Sequence, residues 1–492
     1  NYTVFMVGIF LLILSAFLLK GVRMAWYLTV AMAVISIIGN LTKAIDYEEA
    51  SLAFFTVVAL LLTRKQYFVR NNPRLIQVGI NAALISIGAV ILYGTAGFYF
   101  LDKKHFNIDF SLLESVKYSV QNFFFYQNDV LVPHDRFARN FLYSINISGG
   151  LTLGFLLYTL ISPYLIEKKV EEDDWALARE LLKKYGRSQL DYFKIYYEKQ
   201  LFFTANRDAF ISYRTADYYA VVLEDPVCAD PEAMVVAIRE FDQFCAENGM
   251  KSLFYRVPES SLPVYEKLKK RSLYVGQEAV LDLTSWTIEG KSKKSIRTSS
   301  NKQKELGLVS KVYQPPIKDG LIQKIHSVSN EWQKERNYDE LVFSQGMFDS
   351  EELRDQTIMV VENQEEKIMA FANIIPDYAP GESTYDLIRN AKGTPNGLIE
   401  FLMAELFFYL KDQGYKTANL GFVAMAGIES GRNIQEKSIK FAYKKLKAFA
   451  HFKGLKEFKD KFGPEWHNKY LIYSNDYDLF SVPRALKKVT KP

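Results

Sequence analysis

A chain of 492 residues is too long for one ordinary folding unit, so composition has to show where it divides. Hydrophobic residues make up 49% and charged residues 24%, and the apolar ones crowd the first third while Lys, Glu and Asp fill the rest. Having only Cys228 and Cys245 excludes a disulfide-framed secreted scaffold, and a net charge of +5 is too small for this length to establish a nucleic-acid partner. The histidines show neither HExxH nor Cys/His ligand spacing, so no metal site is expected.

A helix that spans a bilayer needs roughly 17–25 apolar residues. Five stretches read as spans: Tyr2–Leu19, Met24–Leu41, Glu49–Thr63 (the shortest), Leu75–Leu101 and Phe141–Ile166. Lys20 and Arg23 mark one short loop as cytoplasmic, and Arg64, Lys65, Arg70 and Arg74 mark another. The acidic loop "TKAIDYEEA" then faces outward, which starts the chain outside an inner (cytoplasmic) membrane and leaves everything after Ile166 in the cytoplasm. The start at Asn1 has no basic n-region or cleavage site, and it reads as missing upstream sequence rather than a signal peptide. Between the fourth and fifth spans, "FSLLESVKYSVQNFFFY" places Phe110, Leu113, Val116, Val120 and Phe124 at helical spacing. Two readings fit this segment: an interfacial or re-entrant helix, or a packed helix of an external loop.

From "EKKVEEDDW" onward the chain is charged, and a pattern occurs twice. "AFISYRTADYYAVVLEDP" reads as a hairpin, followed by the helix "PEAMVVAIREFDQFCAENG" and the strand "SLFYRV". Later, "TIMVVENQEEKIMAFANIIP" reads as a hairpin turning at Asn363–Glu366. After it come the strand "STYDLIR", the helix "NGLIEFLMAELFFYLKDQG" closed by Gly414, and the strand "TANLGF". The expected architecture is therefore an α-helical membrane domain (1–167) followed by α+β structure. The latter is two tandem N-acetyltransferase-like units, 168–290 and 291–492, with the active site in the second. This is an analogy of fold and not of function.

Between these units "GKSKKSIRTSSNKQKELG" clusters Lys291, Lys293, Lys294, Arg297, Lys302 and Lys304 on a helix. A second basic run passes from Lys437 through Lys447 to Lys461. Each is either a solvated charged face or a patch for phosphates of RNA or lipid headgroups.

The stretch "TYDLIRNAKGTPNGLIEF" sets Asp386 and Arg389 on an otherwise apolar strand, where charge is costly unless paired or used. "YDLIR", "GTPNGLIEFLMAEL", "TANLGFVAMAG" and "GLKEFKDKFGPEWHNKYLIY" occur in an order that resembles the C-terminal domain of aminoacyl-phosphatidylglycerol synthases. These are also called multiple peptide resistance factors. "IRTSSNKQKELG" is similar to their basic helix, and the likeness covers about residues 170–485. "VAMAGIESGRN" departs from the family's usual "APLSG" pattern.

The resemblance implies a phosphatidylglycerol lysyltransferase-like enzyme. It would move an aminoacyl group from aminoacyl-tRNA to a membrane phospholipid without a further cofactor, and it could form a homo-oligomer through the membrane domain. The larger members also carry a flippase with many more spans. Such a transfer must hold an ammonium, stabilise an oxyanion and accept a hydroxyl proton. Asp386 and Arg389 are the catalytic candidates. Glu400, Asn396, Arg297, Lys302 and Lys461 are the substrate-binding ones. Strand alternation puts residues three apart on opposite faces, so both charges can serve one site only if a bulge or the strand's end intervenes. The alternatives are separate salt bridges for the two charges, a related acyltransferase using acyl-coenzyme A or a peptidoglycan precursor, and an inactive membrane scaffold. "GTPNG" lacks the Gly/basic pattern of a loop that wraps a pyrophosphate, which counts against coenzyme A.

Overall fold

Long apolar runs with few charges fold as helices because no backbone polar group is then left unpaired. In the computed structural model these are α1 (Tyr2–Leu18), α2 (Arg23–Lys43), α3 (Tyr47–Leu62), α4 (Pro73–His105), α5 (Leu112–Phe123) and α6 (Arg136–Ile161). The described residues are 2–19, 21–43, 47–67, 69, 71–106, 108–126, 131–162, 171–336, 339–427 and 448–492. The Lys437–Lys447 part of the second basic run, the end of "VAMAGIESGRN", Lys20, Arg70 and the 163–170 passage lie outside them.

Among the described residues two helices, over Arg74–Phe100 and Arg136–Ile161, are long and apolar enough to cross a membrane, while Gly8–Leu18 and Arg23–Gly39 are shorter apolar segments. The third expected span, α3, has 16 residues and rises about 24 Å at 1.5 Å per residue, less than a typical hydrocarbon core. α6 begins earlier than the sequence suggested because the Asp135 carboxylate caps it, accepting from the Ala138 N–H at 2.7 Å.

The chain divides into two compact units, Asn1–Glu167 with Phe244–Met250, and Lys168–Gln243 with Lys251–Pro492. In the first, Phe98, Phe106, Phe110, Phe123 and Phe141 form an aromatic core.

The second unit is built on one sheet. Its elements are α7 (Glu172–Tyr185), β1 (Gln200–Phe203), β2 (Phe210–Ala216), β3 (Tyr219–Leu223), α8 (Pro231–Glu247, whose residues from Phe244 on are grouped with the first unit), β4 (Lys251–Pro258), α9 (Leu262–Lys267) and β5 (Arg271–Asp282). Then come α10 (Lys294–Glu305), β6 (Val309–Tyr313), α11 (Asp319–Arg336), α12 (Ser350–Arg354), β7 (Thr357–Glu362), β8 (Ile368–Ile375) and β9 (Glu382–Asn390). The last are α13 (Leu398–Asp412), β10 (Thr417–Ala424), α14 (Ala448–Asp460), β11 (Glu465–Tyr473) and α15 (Val482–Val489).

The sheet order is β1-β2-β3-β4-β11-β5-β10-β9-β8-β7-β6. The β3–β4 and β9–β10 pairs are parallel, each joined by a crossover helix, so both halves of the repeated pattern form as the hydrophobic periods require. The position 290/291 falls between β5 and α10. The last strand, β11, nevertheless lies between β4 and β5, and β5 pairs with β10, so a single sheet runs through the whole unit.

Two layers cover the second half of this sheet. Ile322, Ile325 and Val328 of α11 pack on Ile358, Val360, Phe371 and Leu387. On the other face α13 packs Phe401, Leu402 and Phe407 on Met359, Val361, Ala370 and Ala372.

Candidate active site

Regular alternation holds along β9 from Asn390 to Ile388, which pair with Ala370, Phe371 and Ala372 of β8. The register then slips, and Tyr385 pairs with Ile374, so Asp386 and Leu387 together oppose Asn373. This is a β-bulge, with one extra residue on β9. The Asn373 side chain fills the gap, accepting from the Leu387 N–H at 2.6 Å. Its amide donates to Gln356 (2.7 Å), which in turn donates to the Tyr192 hydroxyl (2.8 Å). The added residue restores Asp386 to the side of the sheet occupied by Arg389. Both look toward α11 and the 339–349 segment, whereas Tyr385 and Ile388 point into the α13 layer.

Arg389 is 3% exposed. Its guanidinium donates to both Glu340 carboxylate oxygens, at 2.9 and 2.8 Å, and to the Ser329 hydroxyl, and it lies over the Trp332 ring. A fork-to-fork ion pair of this kind fixes position as well as charge. Asp386 accepts the Gly346 N–H with both oxygens, at 3.1 and 3.0 Å. Across from it, the hydroxyls of Tyr192 and Tyr196 both donate to Glu352. Burial lifts the Asp386 carboxyl to about 7 against the pull of the Gly346 N–H, and Glu352 adds to the lift. Burial also raises Glu352, opposed by the two tyrosine hydroxyls.

The five substrate-binding candidates lie elsewhere, around α10 and the start of α13 on the other face of the sheet. Glu400 pairs with Lys461 at 2.8 Å. The Asn396 carbonyl accepts from the Gln303 amide at 3.0 Å. Arg297 donates to the carbonyls of Ile288 and Gly290, which ties the segment before α10 to the helix. Lys302 is exposed on α10. These residues are not brought to Asp386.

A cavity of about 730 Å³ opens at the other end of the polar face of β9. Glu224, Asp225, Glu278, Glu382, Lys194 and Lys469 are among its walls. Lys469 bridges Glu224 (2.8 Å) and Glu278 (3.0 Å), and Arg256 reaches Glu278 at 3.1 Å. Burial alone would raise Glu278, but Lys469 and Arg256 override it and hold the carboxyl at about 2. Burial lifts Asp225 to about 6 despite its bond from Ser261. Gln189, also in the wall, donates to Glu278 (2.8 Å) and accepts from Thr384 (3.2 Å), two residues before Asp386.

Sequence reasoning missed Glu340, Gly346 and Glu352, because they come from an irregular segment and a one-turn helix without periodicity. It also missed Arg256 and Glu278. A signal for those existed: each is a charge on an apolar strand, as Asp386 and Arg389 are.

An apolar helical unit followed by a mixed sheet, with buried charges gathered on one strand and around one cavity, defines a class of α/β enzyme-like protein. The family model for the C-terminal part of phosphatidylglycerol lysyltransferase matches residues 179–473, and the chain belongs to that family. A phosphatidylglycerol lysyltransferase of Bacillus subtilis is 25% identical over 492 residues, covering 98% of this chain and 55% of the relative. One from Staphylococcus epidermidis is 25% identical over 383 residues, covering 75% and 45%. The chain thus spans about half the length of the curated relatives it matches. Among solved structures, L-PGS from Bacillus licheniformis superposes with a TM-score of 0.57 at 27% identity, over 65% of this chain and 99% of that one. The C-terminal domain of a putative lysylphosphatidylglycerol synthetase from Agrobacterium fabrum gives 0.58 at 25% identity, over 65% and 97%.

Proposed function

We propose that this chain is a membrane-bound aminoacyltransferase that moves an aminoacyl group from aminoacyl-tRNA to a phospholipid such as phosphatidylglycerol, on the cytoplasmic leaflet. The observation that carries this reading is the bulge in β9. It presents Asp386, a carboxyl lifted to about 7, on the face where Arg389 and Glu340 anchor the facing segment. Family membership supplies the chemistry to be explained, and the apolar helices supply the attachment to the lipid phase.

In this reading Asp386 takes the proton of the lipid hydroxyl as its oxygen bonds to the ester carbonyl carbon. The tetrahedral intermediate then collapses, the bond to the tRNA ribose oxygen breaks, and Asp386 returns the proton to that oxygen. A base is most effective when its proton affinity lies near the working pH. The Arg389 fork is occupied by Glu340, so Arg389 serves as a positioning residue that anchors the segment donating the Gly346 N–H. The acidic cavity suits the ammonium of the carried amino acid, and exposed lysines of α10 suit tRNA phosphates. The two βαβ patterns are two acetyltransferase-like halves fused through β11 and β5.

Purified chain is incubated with charged tRNA and phosphatidylglycerol vesicles, and lipids are analysed by mass spectrometry. Aminoacylated lipid that disappears on uncharged tRNA supports the proposal. Product formed from an acyl-coenzyme A instead, or no modified lipid at all, defeats it.

A further inference from the structure

The helix α5 has its polarity inverted relative to a helix packed on a water-soluble protein. Small polar residues make up most of its inner stripe, where Ser115 and Ser119 are fully buried and Asn122 nearly so, and Phe123 at its end reaches the aromatic core. Ser119 and Asn122 turn back on the helix, donating to the carbonyls of Ser115 (2.7 Å) and Tyr118 (2.9 Å). This side sits tightly on its neighbours. A Cβ on Gly94 of α4 would lie 2.6 Å from the Ser119 hydroxyl, and one on Gly149 of α6 would lie 2.1 Å from the Phe123 carbonyl oxygen.

The outward side divides in two. Leu113 (81% exposed), Val116 (37%) and Phe124 (47%) follow one another at helical spacing through half-buried Val120. Beside them Glu114 and Lys117 form a charged stripe. In water this arrangement forfeits about 1.5–3 kcal/mol for each large apolar side chain left exposed. Turning the helix about its axis would bury those side chains at the expense of Ser115, Ser119, Asn122 and Phe123. The glycine contacts fix the opposite choice.

We infer that α5 lies in the plane of the bilayer surface, with Leu113, Val116 and Phe124 among the acyl chains and Glu114 and Lys117 among the headgroups. Three stripes of this kind are what an interfacial helix requires, with the apolar side about 5–10 Å into the boundary. The occupant is lipid, because α5 packs on α4 and α6, helices that meet the length and hydropathy of spans and that leave Leu84, Ile85, Leu92, Ile147 and Leu151 exposed. The capping box of Ser111 and Glu114 satisfies backbone N–H groups at the start of the helix, at the headgroup level. This inference rests on the membrane part of the proposed function and is independent of the transfer chemistry.

The test uses the full chain with Cys228 and Cys245 replaced, carrying one new cysteine as Leu92→Cys, Val116→Cys or Lys117→Cys. Each is labelled with an environment-sensitive fluorophore and reconstituted in phosphatidylglycerol–phosphatidylcholine vesicles. Nitroxides on lipid acyl chains should quench the probes at 92 and 116 several-fold more than the one at 117, and aqueous iodide should show the reverse order. Quenching at 92 but not at 116 overturns the α5 placement alone, whether iodide reaches 116 (an external loop helix) or not (a protein-covered face). Failure at 92 as well overturns the membrane reading with it.

Discussion

Asp386 and Arg389 stand three residues apart on β9 and face the same side of the sheet, because Asp386 and Leu387 share one partner, Asn373. A single short segment then engages both charges. Glu340 holds the Arg389 fork, and Gly346, six residues further on, donates its N–H to Asp386. An uninterrupted strand would have sent one charge into the α11 layer and the other into the α13 layer.

Asp386→Asn should lower aminoacyl-lipid formation by about 10²–10⁴-fold, the usual weight of a general base. In the parent, transfer should rise with pH through about 7, where burial has lifted this carboxyl, and then level off. Glu352→Gln removes part of that lift and should move the rising limb to lower pH. The linkage has the opposite sense for stability. The folded carboxyl binds its proton more tightly than the unfolded one, so its contribution is complete below about pH 4 and is lost as pH rises to about 7. Initial rates on vesicles and urea melts across this range check both. A parent rate that is flat through neutral pH removes Asp386 from the role of base.

The long elements were legible because their hydrophobic periods are unbroken: β7, β8, β9, α13 and β10 fall where alternation and Gly414 place them. The neighbours of β11 were not. "EWHNKYLIY" carries the polar residues of a strand whose inward Lys469 is neutralised by Glu224 and Glu278, partners more than 190 residues away that no local pattern announces. The charges of "YDLIR" marked a special strand. The sequence posed a bulge only as one condition for the two charges to share a site; its presence and place were hidden, since the register slip depends on Asn373 of a different strand. Glu400 and Lys461 pair with each other on the far face, because α13 packs on the side of the sheet opposite α11.

The Arg389–Glu340 pair should behave as one unit. Arg389→Met leaves a mostly buried carboxylate without its fork and should cost about 3 kcal/mol, the low end for a buried pair because Glu340 keeps 19% exposure. Glu340→Gln should cost less than that, and the double variant should cost clearly less than the sum. Denaturant melts of all four forms complete the cycle. Additive costs would show that the pair is not coupled and that Arg389 does not act through Glu340.

Gly346 tests the segment without adding or removing a charge. A Cβ there would lie 2.4 Å from an Asp386 carboxylate oxygen and 3.0 Å from the Tyr196 hydroxyl, so Gly346→Ala must push the segment away. Overpacking of this kind costs about 1–3 kcal/mol. Its distinctive effect should be on the pH profile: losing the Gly346 N–H, which pulls the Asp386 carboxyl down, moves the rising limb of activity to higher pH. Glu352→Gln moves it the other way, so the two variants form opposed controls on one titration.

Lys469 tests the cavity. It is 5% exposed and sits between Glu224 and Glu278. Lys469→Met keeps the length of the side chain and removes its charge, leaving Arg256 as the cation on Glu278. Breaking a buried pair from one side costs about 3–5 kcal/mol, because the remaining carboxylates stay desolvated. The pH dependence identifies the cause. In the parent Glu278 is held at about 2, below its unfolded value, so its stabilisation is present above about pH 4 and fades as pH falls toward 2. The gap between parent and variant should therefore be widest at neutral pH and should narrow in acid, as protons replace the missing ammonium. A gap that stays constant from neutral to acid pH would assign the loss to packing of the Lys469 stem, and the cavity wall would then owe its order to shape rather than charge.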